Sequence, residues 1–513
     1  MCKLSHYGNC DPETEEEEYC IFHRPNKNEK EAEEFWRKFF DRFKPEEEKI
    51  EIGRRKIRRF IFKEDVYCSG YVFPASFKET ETAIAKPFRY SVFKGSVNFS
   101  EARFEGYADF SEARFEGYAD FSGAIFLRDA FFSGAKFEVG ACFIETKIKG
   151  FMYFFGAKFE GYADFSEARF EGYVSFSWTI FSGDVDFSEA TFSIGANFSM
   201  AEFEGYADFS EARFEGYVSF SNARFHNFVN FSKAKFPNLK EGNLEDLLSY
   251  ASFRKVYFEY PKRAVFDGIE GKTKISFINT DISRVVFRNC SFDFLYDEFL
   301  LKNRKRLEKM LKDVEEKISS IKKSIKEGKN VDKEELRELE HYRKKLTREL
   351  ENLTLDNVLS VIRMLRENFD YCMKYEESGR LFIKEMDLKR DYLLKRGAEK
   401  RRFADKISRY IEWFAYSLYR IMGLYGESIA RPIFWIPVII ILFGVLRGLL
   451  SHPLFNGLHL SSLMRGIQES LEAFVQLRWD GSFLTLIERV ISALNLGVLY
   501  ISLHRKLERR IRH

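Results

Sequence analysis

Between Phe88 and Phe236 the apolar positions follow neither of the two common local periods. From Phe93 an aromatic recurs in steps of 5 and 6 residues, at Phe99, Phe104, Phe110, Phe115, Phe121, Phe126, Phe132, Phe137 and Phe143. The series runs on through Ile148, its one non-Phe occupant, and Phe154, then Phe159, Phe165, Phe170, Phe176, Phe181, Phe187, Phe192 and Phe198, ending with Phe203, Phe209, Phe214, Phe220, Phe225, Phe231 and Phe236. Two residues before most slots stands a small side chain, as at Ala102, Ala108, Ala113, Ala119 and Ala124. A helix face repeats near 3.6 residues and a strand face at 2. The pattern therefore predicts a repeated supersecondary unit.

Taking each step as one side of a four-sided coil of about 22 residues turns every Phe inward, and predicts a β-solenoid of about seven coils. Its core includes Phe104, Phe110, Phe115, Phe121, Phe159, Phe165, Phe170, Phe203, Phe209 and Phe214. At a strand spacing of about 4.8 Å per coil the rod is roughly 30 Å long. The unit F-E-G-Y-A-D-F-S-E-A-R, from Phe104 to Arg114, resembles the pentapeptide-repeat family in a Phe-centred eleven-residue variant. That resemblance implies a right-handed quadrilateral parallel β-helix. A disordered low-complexity tract is the competing reading, but such tracts are poor in aromatics.

The best copies, FEGYADFS at Phe115, Phe159 and Phe203, lie 44 residues apart, which is two coils. Stacking by 22 puts Tyr118, Gly140, Tyr162, Asp184 and Tyr206 in one outward column, and Tyr107, Asp129, Phe151, Tyr173, Gly195 and Tyr217 in another. Tyr107, Tyr118, Tyr162, Tyr173, Tyr206 and Tyr217 form a candidate docking surface, since Tyr is enriched at interfaces. Equally, each Tyr can simply fill the bulge left by the sixth residue of a step.

The flanks divide the chain into a tail (1–28), a cap helix with leading strands (29–87), the solenoid (88–236), an irregular segment with final coils (237–298), a helical hairpin (299–355), a helical linker with a juxtamembrane amphipathic helix (356–430), and a two-span membrane module with a basic tail (431–513). In the tail, Cys2, Cys10, Cys20 and His23 can close a tetrahedral structural zinc site, with Cys20 and His23 in C-x-x-H spacing. Pentapeptide-repeat proteins often open with a similar C-x-x-H. Ordinary reduced thiols on a mobile terminus are the alternative. Glu29 to Phe43 reads as an amphipathic cap over the open end of the stack, with Phe35, Trp36, Phe39, Phe40 and Phe43 on one side, because an uncapped end exposes a strand edge. Phe60 to Phe77 reads as the first irregular coil. After Phe236 the spacing lapses from Pro237 to Pro261 and resumes at Phe277, Ile282, Phe287 and Phe292, for one or two further coils.

Helical spacing begins near Phe299. Leu307, Met310, Leu311, Val314, Ile318, Ile321 and Ile325, then Leu336, Leu339, Tyr342, Leu346, Leu350 and Leu353, predict an antiparallel hairpin broken at Gly328-Lys329-Asn330. One further helix is expected from Asp356 to Arg396; its stretch from Phe382 to Arg390 resembles the linker of membrane-attached pentapeptide-repeat proteins. An aromatic amphipathic helix with Phe403, Ile407, Ile411, Phe414 and Leu418 on one face suits the headgroup region. Ile433 to Leu450, apolar apart from Arg447, is long enough for a span. Trp435 and Arg447 sit where interface anchors would. A second span is read at Phe483 to Leu503, with Glu488 and Arg489 placed at the interface.

Between the spans, Ser461 to Leu477 suits a short re-entrant or surface helix. The order span, short helix, loop, span resembles a two-helix potassium-channel pore module in degenerate form. Gln476-Leu477-Arg478-Trp479-Asp480-Gly481 stands where a T-V-G-Y-G filter would follow, placing Arg478 in the path of cations. Basic residues before the first span (Arg401, Arg402) and after the second (Arg505, Arg509, Arg510) put both termini and the solenoid in the cytoplasm by the positive-inside rule.

Composition adjusts this picture in three ways. The net charge of +3 conceals an acidic solenoid between more basic flanks. Seven scattered Cys and no opening signal peptide favour a reducing cytoplasm. Scarce Gln with abundant Lys, Arg and Glu fits a heat-adapted protein. No catalytic constellation emerges: Gly271-Lys272-Thr273 ends like a phosphate loop, but Phe266 stands where its first Gly belongs. The expected function is a non-enzymatic, membrane-anchored scaffold that presents the solenoid for protein–protein interaction in the cytoplasmic membrane. Its expected partners are the lipid bilayer and an unidentified protein; a homo-oligomer is left open and nucleic acid is not expected. An ion channel or channel-derived sensor regulated by the solenoid is the alternative, and an acidic DNA mimic that binds topoisomerases is the minor one.

Overall fold

A computed structural model describes residues 2–53, 55–75, 87–238, 250–269, 273–292, 295–326, 333–395, 403–450, 460–476 and 482–511. The chain divides into two compact units, Met1–Met364 and Leu365–His513.

The first unit is a parallel β-solenoid of four sheets, which among the described residues have 10, 10, 7 and 8 strands. Each strand pairs with its counterpart one coil on, so that Phe115, Phe137 and Phe159 share a register. The predicted core residues are all at most 3% exposed. Rings form columns: from Phe62 through Phe93, Phe115, Phe137, Phe159, Phe181, Phe203 and Phe225 to Phe258, successive centroids lie 4.6–5.5 Å apart with planes within 17°. Across the interior, Phe121 meets Phe110 and Phe132 edge-on at 85° and 90°, the arrangement the ring quadrupole favours. Ile148 takes its slot fully buried.

The two step lengths make different corners. In the five-residue step the Ala102 amide donates to the Phe99 carbonyl at 3.0 Å, and Glu101 between them has φ 56°, a type II turn. Glu112, Glu167, Glu189 and Glu211 repeat it. In the six-residue step Gly161 passes so close to the preceding coil that an added Cβ would stand 1.6 Å from the Val139 carbonyl oxygen. Only glycine fits there.

The solenoid begins earlier and ends later than its Phe spacing implies. Helix α1 (Glu29–Phe43) is followed by β1 (Glu46–Ile52) and β2 (Arg55–Phe62), an antiparallel hairpin whose second strand pairs with Val92–Phe93. The charges of Glu46-Glu47-Glu48 hid β1 as a strand, yet they blunt an exposed edge. Two short strands, β3 (Val66–Tyr67) and β4 (Val72–Phe73), start two other sheets. Phe77 lies outside the described residues. At the far end the expected lapse to Pro261 is too long: Phe253, Phe258 and Phe266 continue three ring columns. The spacing breaks because 239–249, outside the described residues, intervene.

Helices α2 (Tyr296–Lys302), α3 (Arg304–Lys326) and α4 (Lys333–Asn352) follow. The expected hairpin is present as α3 and α4, bridged by Lys322 and Glu340 at 2.7 Å; its Gly328-Lys329-Asn330 break lies outside the described residues. The single helix expected from Asp356 to Arg396 is two, α5 (Leu355–Tyr371) and α6 (Tyr375–Lys395). Met373 at φ 61° ends α5, and the Lys374 amide caps the Phe369 carbonyl at 2.8 Å.

In the second unit, α7 (Phe403–Gly423), α8 (Ala430–Leu450), α9 (Leu460–Phe474) and α10 (Phe483–Ile511) complete the chain. Two helical stretches, Ala430–Leu450 and Phe483–Glu508, are long and apolar enough to cross a membrane. Backbones of α8 and α9 meet at glycines, since a Cβ on Gly466 would lie 2.4 Å from the Gly444 carbonyl oxygen. Such small-residue contacts let helices approach closely in lipid.

Candidate functional site

The tail folds into a centre. Cys2, Cys10, Cys20 and His23 bring their ligand atoms within 4.8 Å of one another. From His23 Nδ1 the sulfurs lie at 3.5 Å (Cys2), 3.7 Å (Cys10) and 3.0 Å (Cys20). Tetrahedral zinc with ordinary Zn–S and Zn–N bonds separates S and N by about 3.5 Å. Three thiols and one imidazole therefore fit a metal such as zinc. Burial pushes His23 down to about 4, holding it in the neutral form that ligates. Burial also pushes the Cys10 thiol up to about 12, with the neighbouring Cys20 and Cys2 adding to the effect. Cys2 is raised by burial too, but amide hydrogen bonds from Cys20 and Leu4 outweigh this and lower it.

The acidic run that separates the ligands is held rather than loose. Lys38 of α1, buried, reaches Asp11 at 2.7 Å and Glu13 at 2.8 Å. Sequence spacing found the four ligands but not this anchor, a lysine buried alongside Phe35 and Phe39 of α1.

Along the solenoid the Tyr columns stack as expected, with Gly140 paired to Tyr162 and Gly195 paired to both Tyr173 and Tyr217. Each Gly leaves room for a ring of the preceding coil, Tyr118 over Gly140 and Tyr173 over Gly195. Aromatics on consecutive coils are accommodated too, since the Tyr206 and Phe228 rings lie 5.2 Å apart. Tyr107, Tyr118 and Tyr162 are exposed, whereas Tyr173, Tyr206 and Tyr217 are half-buried. Lys345 of α4 lies 4.3 Å from the Tyr217 ring, so the chain itself covers that end of the column.

A buried polar cluster that the spacing did not reveal joins α4 to the last coils. Glu349 accepts from Tyr250 Oη at 2.6 Å and pairs with Arg254 at 2.9 Å. Arg254 in turn donates to Ser276 Oγ at 3.0 Å.

A second cluster lies among the C-terminal helices. Arg447 of α8 donates to Glu488 Oε2 at 2.7 Å and to Thr485 Oγ1 at 2.9 Å, both on α10. Ser470 of α9 donates to the other Glu488 oxygen. All four are buried. Neither Arg447 nor Glu488 faces outward as an interface anchor; each finds its counter-charge in the other helix. Arg489 does face out and clasps Gln476, at 2.7 Å. Leu477 to Gly481, including Arg478, lie outside the described residues, as do Arg401 and Arg402. The stretch from Phe382 to Arg390 sits at the base of these helices, where Asp387 accepts from Tyr425 Oη at 2.8 Å and pairs with Arg420 at 2.7 Å. Arg505 lies over Phe382 and pairs with Glu427 at 3.3 Å.

Fold and centre together define a four-sided parallel β-solenoid, capped at its N-terminal end by a Cys3His cluster and followed by helices suited to a bilayer. A family model for pentapeptide repeats (9 copies) matches residues 88–136, 154–199, 179–224 and 194–235. The solenoid is a pentapeptide-repeat domain. Comparison with curated proteins and with solved structures returned no match.

Proposed function

We propose that the chain is a membrane-anchored scaffold whose pentapeptide-repeat solenoid is held at the cytoplasmic face for a protein partner. The observation that carries this reading is the exposure of the apolar helices. Only 28% of the apolar window of α8 and 22% of that of α10 are buried. Ile433, Phe434, Ile441 and Leu442 of α8 and Val490, Leu494 and Tyr500 of α10 face outward. A core helix of a soluble protein would bury such side chains, and acyl chains cover them at no cost. Tyr410, Ile411 and Phe414 of α7 are exposed in the same way, as suits a helix lying in the headgroup region. The exposed tyrosines Tyr107, Tyr118 and Tyr162 are the docking surface we assign to the partner.

Zinc is the metal we assign to the four-ligand centre, with a structural role, because all four tetrahedral positions are filled by protein and none is left for a substrate. The scaffold carries no catalytic group in this reading.

Channel activity is the second reading, favoured by the seating of α9 against α8 between two apolar helices. An Arg–Glu pair filling the inside of this bundle argues for a closed anchor instead. Purified protein in planar bilayers is expected to pass no current, while the same protein in cells stays in the membrane pellet after an alkaline carbonate wash. Reproducible unitary currents would favour the channel, and release by carbonate would remove both readings.

A further inference from the structure

The C-x-x-H turn faces two ways. Cys20 and His23 point into the centre, while Phe22 between them turns its carbonyl out to accept the Val72 amide of β4 at 2.8 Å. Its ring stacks on Tyr71 at 4.5 Å. β4 is the first strand of its sheet. Without Phe22 its amide would be an open edge, which invites pairing with another strand.

The rest of the ligand loop grips the same coil. Asn9 donates to the Ser69 carbonyl at 2.9 Å and accepts from Tyr71 Oη at 3.2 Å. Tyr7 donates to Glu101, and its ring lies where a Cβ on Gly70 would stand, 2.3 Å away. Gly70 also has φ 70°, so glycine is required there twice over. Among the described residues before Asn28, the only regular structure is the short turn Ser5–Tyr7. A segment so small cannot hold its shape by apolar burial alone. Ligand closure on a metal supplies folding free energy directly.

We infer that the Cys2–Cys10–Cys20–His23 centre is the lock of the solenoid's N-terminal cap: metal binding fixes Phe22 over the β4 edge, and metal loss uncovers that edge. This rests on the metal reading above. Apolar packing of α1 continues to cover the Phe columns beneath, through Phe35 and Phe39 against Phe73, so the effect of metal loss is local to β4 and its loop.

Hydrogen exchange on the full-length protein in detergent tests this, comparing the zinc-loaded form with the same sample treated with a chelator under reducing conditions. Zinc content is measured on both. Removal is expected to speed exchange of the Val72 amide about tenfold, with the Phe121 and Phe165 amides of the inner coils unchanged and protection of Val72 restored by zinc alone. Bound zinc whose removal leaves Val72 protected would overturn the lock while leaving the metal site standing. Loss of protection through the inner coils as well would overturn its local character. If no stoichiometric zinc is bound, the metal reading fails and the lock with it.

Discussion

A phenylalanine in this core touches a ring above and a ring below, and that sets what its loss costs. Phe165 lies 4.8 Å from Phe143 and 4.8 Å from Phe187. Phe165→Ala should cost about 3–5 kcal/mol, because neighbouring coils cannot close the cavity. Phe287, in the last strand of its sheet, leans on Phe266 at 35°, and Phe287→Ala should lower the melting temperature less. Glu167→Ala should change little, since alanine meets the same φ of 58° that the glutamate already adopts. Equal shifts for all three would contradict the inward columns. One outward position has a pH signature. Asp186 sits between Asp164 and Asp208; burial pushes its carboxyl up, and the two neighbouring charges add to this against the Ser188 hydrogen bonds. With the folded value raised, ionised Asp186 costs stability at neutral pH, and that cost fades as pH falls through the folded value. Asp186→Asn keeps the turn to Ser188, as Asn98 and Asn230 do in the same column. It should raise the melting temperature at pH 7 and make no difference in acid. The Phe slots were legible because one residue type repeats at one spacing. The left-handed glutamates were not, since Glu is a rare occupant of positive φ.

At the scale of elements, the sequence shows well what a segment does by itself and poorly what it meets. The spacing of α1, α3, α4 and α7 was readable from apolar periodicity, and the C-x-x-H ligands from residue type. The β1 strand was hidden by its charges, and the α5–α6 break by the absence of Gly or Pro at Met373. Arg447 and Glu488 looked like interface residues because each interrupts an apolar run; that they pair, 41 positions apart, is a tertiary fact. Breaking a buried pair leaves a lone charge, so Glu488→Ala should destabilise the detergent-solubilised protein by about 3–5 kcal/mol. Replacing both residues with Met should recover most of that loss in a thermal-shift assay. A double mutant no better than the single one would show that the pair does not act as a unit.

For the molecule as a whole, the two ends of the chain solve different solvent problems. The solenoid hides its Phe columns within its own coils, whereas α7, α8 and α10 leave apolar faces outward. We propose that α8 and α10 cross a bilayer and leave both termini on the cytoplasmic side. Single cysteines placed at Asn456, between the two helices, and at Arg512, after the second, test it in intact cells with an impermeant thiol reagent. Labelling at 456 without labelling at 512 is the predicted result; labelling at 512, or at neither position until the cells are lysed, would contradict it.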